Sequence, residues 1–507
     1  MVYLHSMKAV TLLLSLTFTL LLAGCKKKKT PNPASEPDQS SFASASVINQ
    51  RLGRGINLGD TYEASWAPRE ADPADFQRIA ASGFKHVRIP VRWEMTSRSS
   101  YTAPFTIQPA FLLSVKKAVD AALKNKLHVI INMHHHDSLF KNPDGLKPMF
   151  LAQWKQIASY FKQYSDSLLF EVLNEPHDLL DADKWNLFFA DALAEIRNTN
   201  PKRTILLGVA EWGGVSALNK LAIPSDTHLI LTIHYYSPFS FTHQGAEWVS
   251  GSNAWLGTKW NDTEYDREVV VSDFQTVLRI QQEKNIPIHI GEFGAYSKAD
   301  MNSRVKWTRF LSRWFEQNGF SWAYWEFNSG FGVYDPVTGQ FRTALLNALT
   351  TESMTSPVPV TLIDLYSSNF SFSADGWNLI NNDASAASSL NFVSNRAQVT
   401  ISSPGSQNWH IQLIRSGIAI QTGKTYRVSF NAYSTGSRSL AASLMLNSAP
   451  WSLYGYSDFT ISATDRSYSF VFTATATDPA VAFVFSMGNG GLLPVTLYNI
   501  KFQEVQY

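Results

Sequence analysis

The chain has a single cysteine, Cys25, among 507 residues, so no disulfide can close within it. It has no excess of either charge. The net value is +2, which points away from nucleic acid and from strongly charged substrates. Its N-terminal apolar run, Ala9–Leu22, is too short to span a bilayer comfortably. There is no HExxH segment and no spaced Cys/His set, so no metal site is indicated. No glycine-rich phosphate loop follows the first strand-like run, which weighs against a doubly wound nucleotide-binding sheet. With 45% hydrophobic and 17% charged residues, the composition is that of globular domains rather than disorder. The length leaves room for two or three of them.

The short apolar run has a use. Lys8 precedes it, and it ends in Leu22-Ala-Gly-Cys25, the layout of a secretory signal peptide. Those last four residues resemble the lipobox of bacterial lipoproteins. The resemblance implies that residues 1–25 are a leader, that Cys25 is lipidated, and that the protein is exported and membrane-anchored, with the cell surface as one destination. An ordinary signal peptide with an incidental cysteine is the alternative. Residues 26–49 open with four lysines and continue rich in Pro and Ser, so they read as a flexible tether without a core. About 20 such residues reach roughly 25 Å.

From residue 50 to 350, strand-like and helix-like segments alternate. The strand candidates are Gly55–Gly59, His86–Val91, His128–His134, Leu168–Asn174, Thr204–Val209, Leu229–Tyr236, Pro287–Glu292 and Ser321–Glu326. Segments such as Ala110–Lys124 and Arg304–Gln317 between them have helical spacing. Eight such units fit an α/β fold, a (β/α)8 TIM barrel. Polar and aromatic residues gather at the C-terminal ends of the strands, the rim that carries barrel active sites: Asn57, Arg88, His134, His135, Asn174, Glu175, Glu211, His234, Tyr236, Glu292, Trp325 and Glu326. Residues 351–360 read as a short linker. Residues 361–507 are rich in Ser, Thr and Asn, with alternating runs such as Tyr426–Tyr433, and read as an all-β sandwich or jelly roll.

Glu175 and Glu292 close two apolar runs. Two carboxyls at strand ends on one rim suit an acid/base and a nucleophile, the pair that cuts glycosidic bonds. Helix capping or a structural ion pair is the plainer role for each. A nucleophile must stay ionised, and Arg88, His234 and Tyr236 are the neighbours suited to keep Glu292 so. Small residues beside Glu292 (Gly291 and Gly294) would let a ligand come close. His134-His135-His136 does not suit a chelate, because adjacent strand residues point to opposite faces. Two of them are expected to bond sugar hydroxyls and the third to face solvent. Trp325 offers a flat face for a sugar ring. Trp66, Trp93, Trp212 and Trp248 offer weaker versions of it.

Together these motifs are specific. Val87-Arg-Ile-Pro-Val91, His134-His135, Asn174-Glu-Pro176, His234-Tyr-Tyr236, Gly291-Glu-Phe-Gly294 and Trp322-Ala-Tyr-Trp325 resemble, in order and interval, the endo-β-1,4-glucanases (cellulases) of glycoside hydrolase family 5. The resemblance implies a retaining hydrolase with Glu175 as acid/base and Glu292 as nucleophile. It implies that Arg88 and Tyr236 support Glu292, and that Asn57, Asn174, His134, His135 and His234 hold the sugar and the carboxylates. Trp325 becomes the stacking floor, and His243 and Trp248 match a substrate-binding loop. No metal or organic cofactor is implied. His136 departs from the family pattern.

The C-terminal part resembles jelly-roll carbohydrate-binding modules. Trp409, Gln412, Trp451 and Tyr454 are the ligand-contact residues it implies, and Trp377 reads as core. Such modules often hold a structural calcium, but no calcium site is legible. The expected partners are a β-glucan polysaccharide and, through the lipid anchor, a membrane. A monomer is the default state. Mannan, xyloglucan or mixed-linkage glucan are the alternative substrates, and a non-catalytic surface glycan-binding lipoprotein is the alternative class.

Overall fold

A computed structural model describes residues 39–66, 69–371 and 374–507. Cys25, the leader and the first half of the tether lie outside the described residues.

Eight parallel strands close a barrel in chain order: β1 Arg54–Asn57, β2 His86–Ile89, β3 His128–Asn132, β4 Leu168–Glu171, β5 Ile205–Leu207, β6 Leu229–His234, β7 Ile288–Phe293 and β8 Ser321–Tyr324. β1 pairs with both β2 and β8, so no edge remains. Most strands are shorter than their apolar runs. The run after β4 continues through Val172 and Leu173, but the chain has already left the ladder. The extra apolar residues are buried in the turn above it.

The expected tether ends early. Ala45–Leu52 is a helix capped by Ser44, with Ala45, Ile48 and Leu52 on one face. That face packs on Ile130, Leu169, Leu206 and Ile230, the inward residues at the bottom of four strands. The i, i+3, i+7 spacing makes this stretch a barrel floor rather than a loose leash.

The expected linker is also held. Val358 N–H donates to the Asp262 carbonyl at 2.7 Å, Thr263 and Val358 form a parallel bridge, and Met354 packs against the barrel core.

Residues 361–507 form two packed antiparallel sheets. One runs Ala386–Val393, Arg396–Pro404, Val495–Gln506, Thr425–Tyr433, Arg466–Thr473, with Thr361–Ser368 added on Val495–Gln506. The other runs Asn378–Asn381, Ile411–Ile420, Asp478–Ser486, Arg438–Met445, Leu453–Ile461. Trp377 is core, as expected, with its ring 5.1 Å from Phe483 and 5.4 Å from Phe485. Arg427 of this module lies over Tyr265 of the barrel at 5.0 Å.

Candidate active site

Arg88 on β2 organises the barrel mouth. It is fully buried, and its guanidinium is saturated by carboxylates and amides. Nε and Nη2 donate to the two oxygens of Glu171 on β4 at 2.6 and 2.7 Å. Nη1 donates to Asn57 Oδ1 on β1 and to Glu292 Oε1 on β7, both at 2.8 Å. Nη2 also reaches Asn174 Oδ1 at 2.8 Å. One planar fork therefore registers four strands, a task a lysine could not perform. Asn57 in turn donates to the Gly291 carbonyl at 2.9 Å, next to Glu292.

The other oxygen of Glu292 accepts from the Tyr236 hydroxyl at 2.9 Å. His234, closing β6, stands between the two glutamates: its Nδ1 is 2.7 Å from Glu175 Oε1 and 3.6 Å from Glu292 Oε2. Asn174 donates to Glu175 Oε2 at 3.3 Å. An oxygen of each glutamate and a nitrogen of His234 all lie within 4.8 Å of one another. Such a trio has donors enough for a cation, but the Arg88 guanidinium already supplies positive charge at Glu292.

Glu175 is not on a strand. β4 ends at Glu171, and Glu175 sits in the following turn with φ +44°. The loop after β5 closes on it. Gly213, at φ +72°, lies so near that a Cβ would come within 3.2 Å of the His234 ring and 3.4 Å of Glu175 Cγ. The glycines beside Glu292 have a different use from the expected ligand access. A Cβ on Gly294 would meet the Trp325 carbonyl at 2.1 Å, and one on Gly291 would meet Thr232 Oγ1 at 2.7 Å. They make room for neighbouring strands.

Burial and the charge of Glu175 push the Glu292 carboxyl above its ordinary value, against the pull of His234 and Arg88. Burial pushes Glu175 up as well, but the hydrogen bond and charge of His234 outweigh it and hold Glu175 below. His234 resists burial, which would deprotonate it, because both glutamates hold its proton. The imidazole therefore holds a proton between the carboxylates more tightly than a free histidine does. An acid/base at Glu175 needs that proton, one hydrogen bond away.

The aromatic lining is partly as expected. Trp325, just beyond β8, lies parallel to the His134 ring, with centroids 5.7 Å apart and planes 8° apart. His134 is buried and contacts Asn132, while His135 is half-buried beside Trp66. His243 stacks on Phe239 at 4.0 Å, and burial lowers its pKa to about 4. Trp248 is 60% exposed and edges onto Tyr296 at 4.8 Å. Three readings need correction. His136 does not face solvent; it is buried, and its Nε2 accepts the Trp93 N–H. Trp93 offers no sugar platform, being fully buried with its indole N–H on the Asn132 carbonyl. Glu211 turns out to Ser216 and Lys220.

The profile of Cellulase (glycosyl hydrolase family 5) matches residues 52–330, more than half of the chain and the whole barrel mouth. The chain belongs to this family. The profile of a carbohydrate binding domain matches residues 365–494. Endoglucanase H of Acetivibrio thermocellus is 38% identical over 311 residues, which is 59% of this chain and 33% of that protein. Endoglucanase A of Clostridium longisporum is 27% identical, over 58% of this chain and 61% of its own length. The chain therefore spans between a third and two thirds of these relatives. Thermotoga maritima Cel5A in complex with mannotriose is 45% identical, with TM-score 0.58, over 60% of this chain and 99% of that one. The same protein with cellobiose is 46% identical, also with TM-score 0.58, over 60% of this chain and 99% of that one.

Within this family 5 barrel the structure joins Asn57, Arg88, Asn174, Glu175, His234, Tyr236 and Glu292 into one network, with His134 and Trp325 beside it. It adds Glu171, which the sequence reading passed over. The signal was present: an acid in the middle of Leu168-Leu-Phe-Glu171-Val-Leu, on an inward position of a buried strand, needs a buried cation. The module residues divide. Asn408, Ser439, Tyr456, Asp458 and Ser486 line a cleft of about 320 Å³; Trp409, 49% exposed, follows Asn408 in the chain, and Gln412 donates to the Ser486 hydroxyl at 3.0 Å. Trp451 follows Met445, at the opposite end of that sheet, where Met445 faces Ala482 while Gln412 faces Ser486. Tyr454 packs partly on the module core and donates to Asp478.

Proposed function

We propose that the barrel hydrolyses internal β-1,4 bonds of glucans by a retaining, two-glutamate double displacement. The observation that carries this is the closeness of the carboxyls, with oxygens within 4.8 Å. Retaining glycosidases hold the pair about 5–5.5 Å apart, and inverting ones about 6.5–9.5 Å, to admit a water. Glu292, held by Arg88 and Tyr236, attacks the anomeric carbon. Glu175 takes the proton from His234 and passes it to the leaving oxygen. Glu175, now a carboxylate, then draws a proton from water, which attacks the glycosyl-enzyme and frees Glu292. A β-mannan is a second reading, favoured by the likeness to Thermotoga maritima Cel5A, whose structures hold mannotriose as well as cellobiose.

The test is reducing-end release from carboxymethylcellulose, mixed-linkage barley glucan and mannan in parallel, with the anomer of the first product read by NMR. β-Anomer from a glucan supports the reading. Release from mannan alone selects the second, and inversion or no release refutes both. For the module, the exposed Trp409, next in the chain to the cleft residue Asn408, supports binding of a soluble glucan chain. The Leu22-Ala-Gly-Cys25 segment supports export and lipid anchoring, with the whole acting as a monomer. Incorporation of labelled fatty acid that is lost in Cys25→Ala would test the anchor, and light scattering the monomer.

A further inference from the structure

His177 has no part in the two-glutamate chemistry, yet it is built into the backbone of the acid. Its ring Nδ1 lies 2.6 Å from the main-chain oxygen of Glu175. A carbonyl only accepts, so Nδ1 carries a proton and donates it. Two aromatic rings pack against the imidazole. Phe140 lies 4.0 Å away with planes 43° apart, and Trp212 lies 5.1 Å away with planes 14° apart. Trp212 belongs to the loop after β5, the same loop whose Gly213 abuts Glu175 and His234. Its N–H reaches back to the Pro176 carbonyl at 3.4 Å. Glu175 is held at φ +44°, a backbone state uncommon for a residue with a side chain, which persists only where its surroundings enforce it.

We propose that His177 is a positioning residue for the acid/base: its Nδ1–H pins the Glu175 peptide, so that the carboxyl stays on His234 and at the leaving oxygen. Without the pin, the peptide turns about Glu175 and the carboxyl swings with it. The inference rests on Glu175 being the acid/base. It concerns only the step in which a proton reaches the leaving group.

That restriction supplies the test. His177→Phe keeps a ring against Phe140 and Trp212 but removes the donor. His177→Asn gives up the ring and places an amide N–H near the position of Nδ1. A cello-oligosaccharide needs a proton on its leaving oxygen; 2,4-dinitrophenyl β-cellobioside, which leaves as a stable phenolate, does not. In the full chain, His177→Phe should lower kcat/KM on the oligosaccharide about 10- to 100-fold. On the dinitrophenyl substrate it should stay within about threefold of the parent. His177→Asn should recover most of the oligosaccharide rate. Equal loss on both substrates, or no loss on either, overturns the proposal. A second readout needs no turnover. Freed from His234, the Glu175 carboxyl in His177→Phe should titrate at higher pH by 13C NMR, and His177→Asn should restore it; an unmoved midpoint overturns the proposal. A parent enzyme inactive on every glucan would refute the function while this titration still decided the role of His177.

Discussion

At the scale of single residues, the site is governed by how few uncompensated charges it contains. Glu292 has two donors and a negative neighbour, so its oxygens are already oriented before a sugar arrives. Glu292→Gln preserves shape and removes the nucleophile. Turnover of a cello-oligosaccharide should fall by roughly 10⁴-fold or more, while its affinity by calorimetry should stay within a few-fold; retained turnover would exclude Glu292 as nucleophile. Arg88→Lys is a different kind of damage. One ammonium cannot fork onto Glu171 while reaching Asn57, Asn174 and Glu292, so two buried carboxylates lose their partner. Breaking such a pair costs about 3–5 kcal/mol, and the variant should melt well below the parent in a thermal scan. Glu175 and Glu292 were legible in the sequence because each is an acid at the end of an apolar run, and Arg88 because it is a lone cation inside one, Val87-Arg-Ile-Pro-Val91. Glu171 was harder, because it breaks a run in its middle, where only the parity of an inward-facing strand position marks it. His177 was illegible, because its role depends on two aromatic residues that the chain brings from elsewhere, Phe140 from a short helix and Trp212 from the loop after β5.

At the scale of elements, the strands were legible and their ends were not. Apolar runs overshoot the ladders because the turns above the barrel are buried too, so hydrophobicity does not stop where hydrogen bonding does. The loops after β1 and β8 show what holds such turns. Glu63 accepts the N–H groups of Asp60 and Thr61, and Glu326 accepts those of Asn328 and Ser329 at 2.9 and 2.6 Å. The Ser329 hydroxyl donates to the Asp60 carboxylate, and Arg69 joins the Asp60 carbonyl to the Asn328 side chain. Burial pushes Glu63 from 4.5 up to about 8 and Glu326 from 4.5 up to about 7. The folded protein therefore keeps two protons that the unfolded chain releases above its ordinary carboxyl range. Their contribution is complete below about pH 4.5 and is lost as pH rises through 7 and 8. The unfolding midpoint should decline from about pH 5 to about pH 8.5. In Glu63→Gln/Glu326→Gln, which cannot titrate at these positions, the decline should be shallower. An unchanged slope would mean that both carboxyls are ionised in the fold.

At the scale of the whole molecule, composition separated barrel from module correctly but misjudged the joints. Residues 351–360 contain Ser, Thr and Pro, the composition of a free linker, yet their backbone is paired to the barrel. Val358 bonds to Asp262, Thr355 donates to the Asp262 carboxylate at 3.3 Å, and Glu352 pairs with Arg309 at 3.0 Å. Composition reports what a segment cannot bury by itself, not what a neighbouring surface offers it. Arg427 over Tyr265 adds a contact beyond the joint. A protease must draw roughly ten residues into an extended strand to cut, and here each of those hydrogen bonds must open first. Limited proteolysis of the full chain should therefore leave residues 351–360 intact while exposed loops such as Asp335–Gly339 are nicked. Arg309→Ala/Thr355→Ala, which removes two ties without touching either core, should accelerate cleavage at the joint and release a module of the size of residues 361–507. Immediate cleavage there in the parent chain would show that the joint is free in solution and that module and barrel reach a glucan independently.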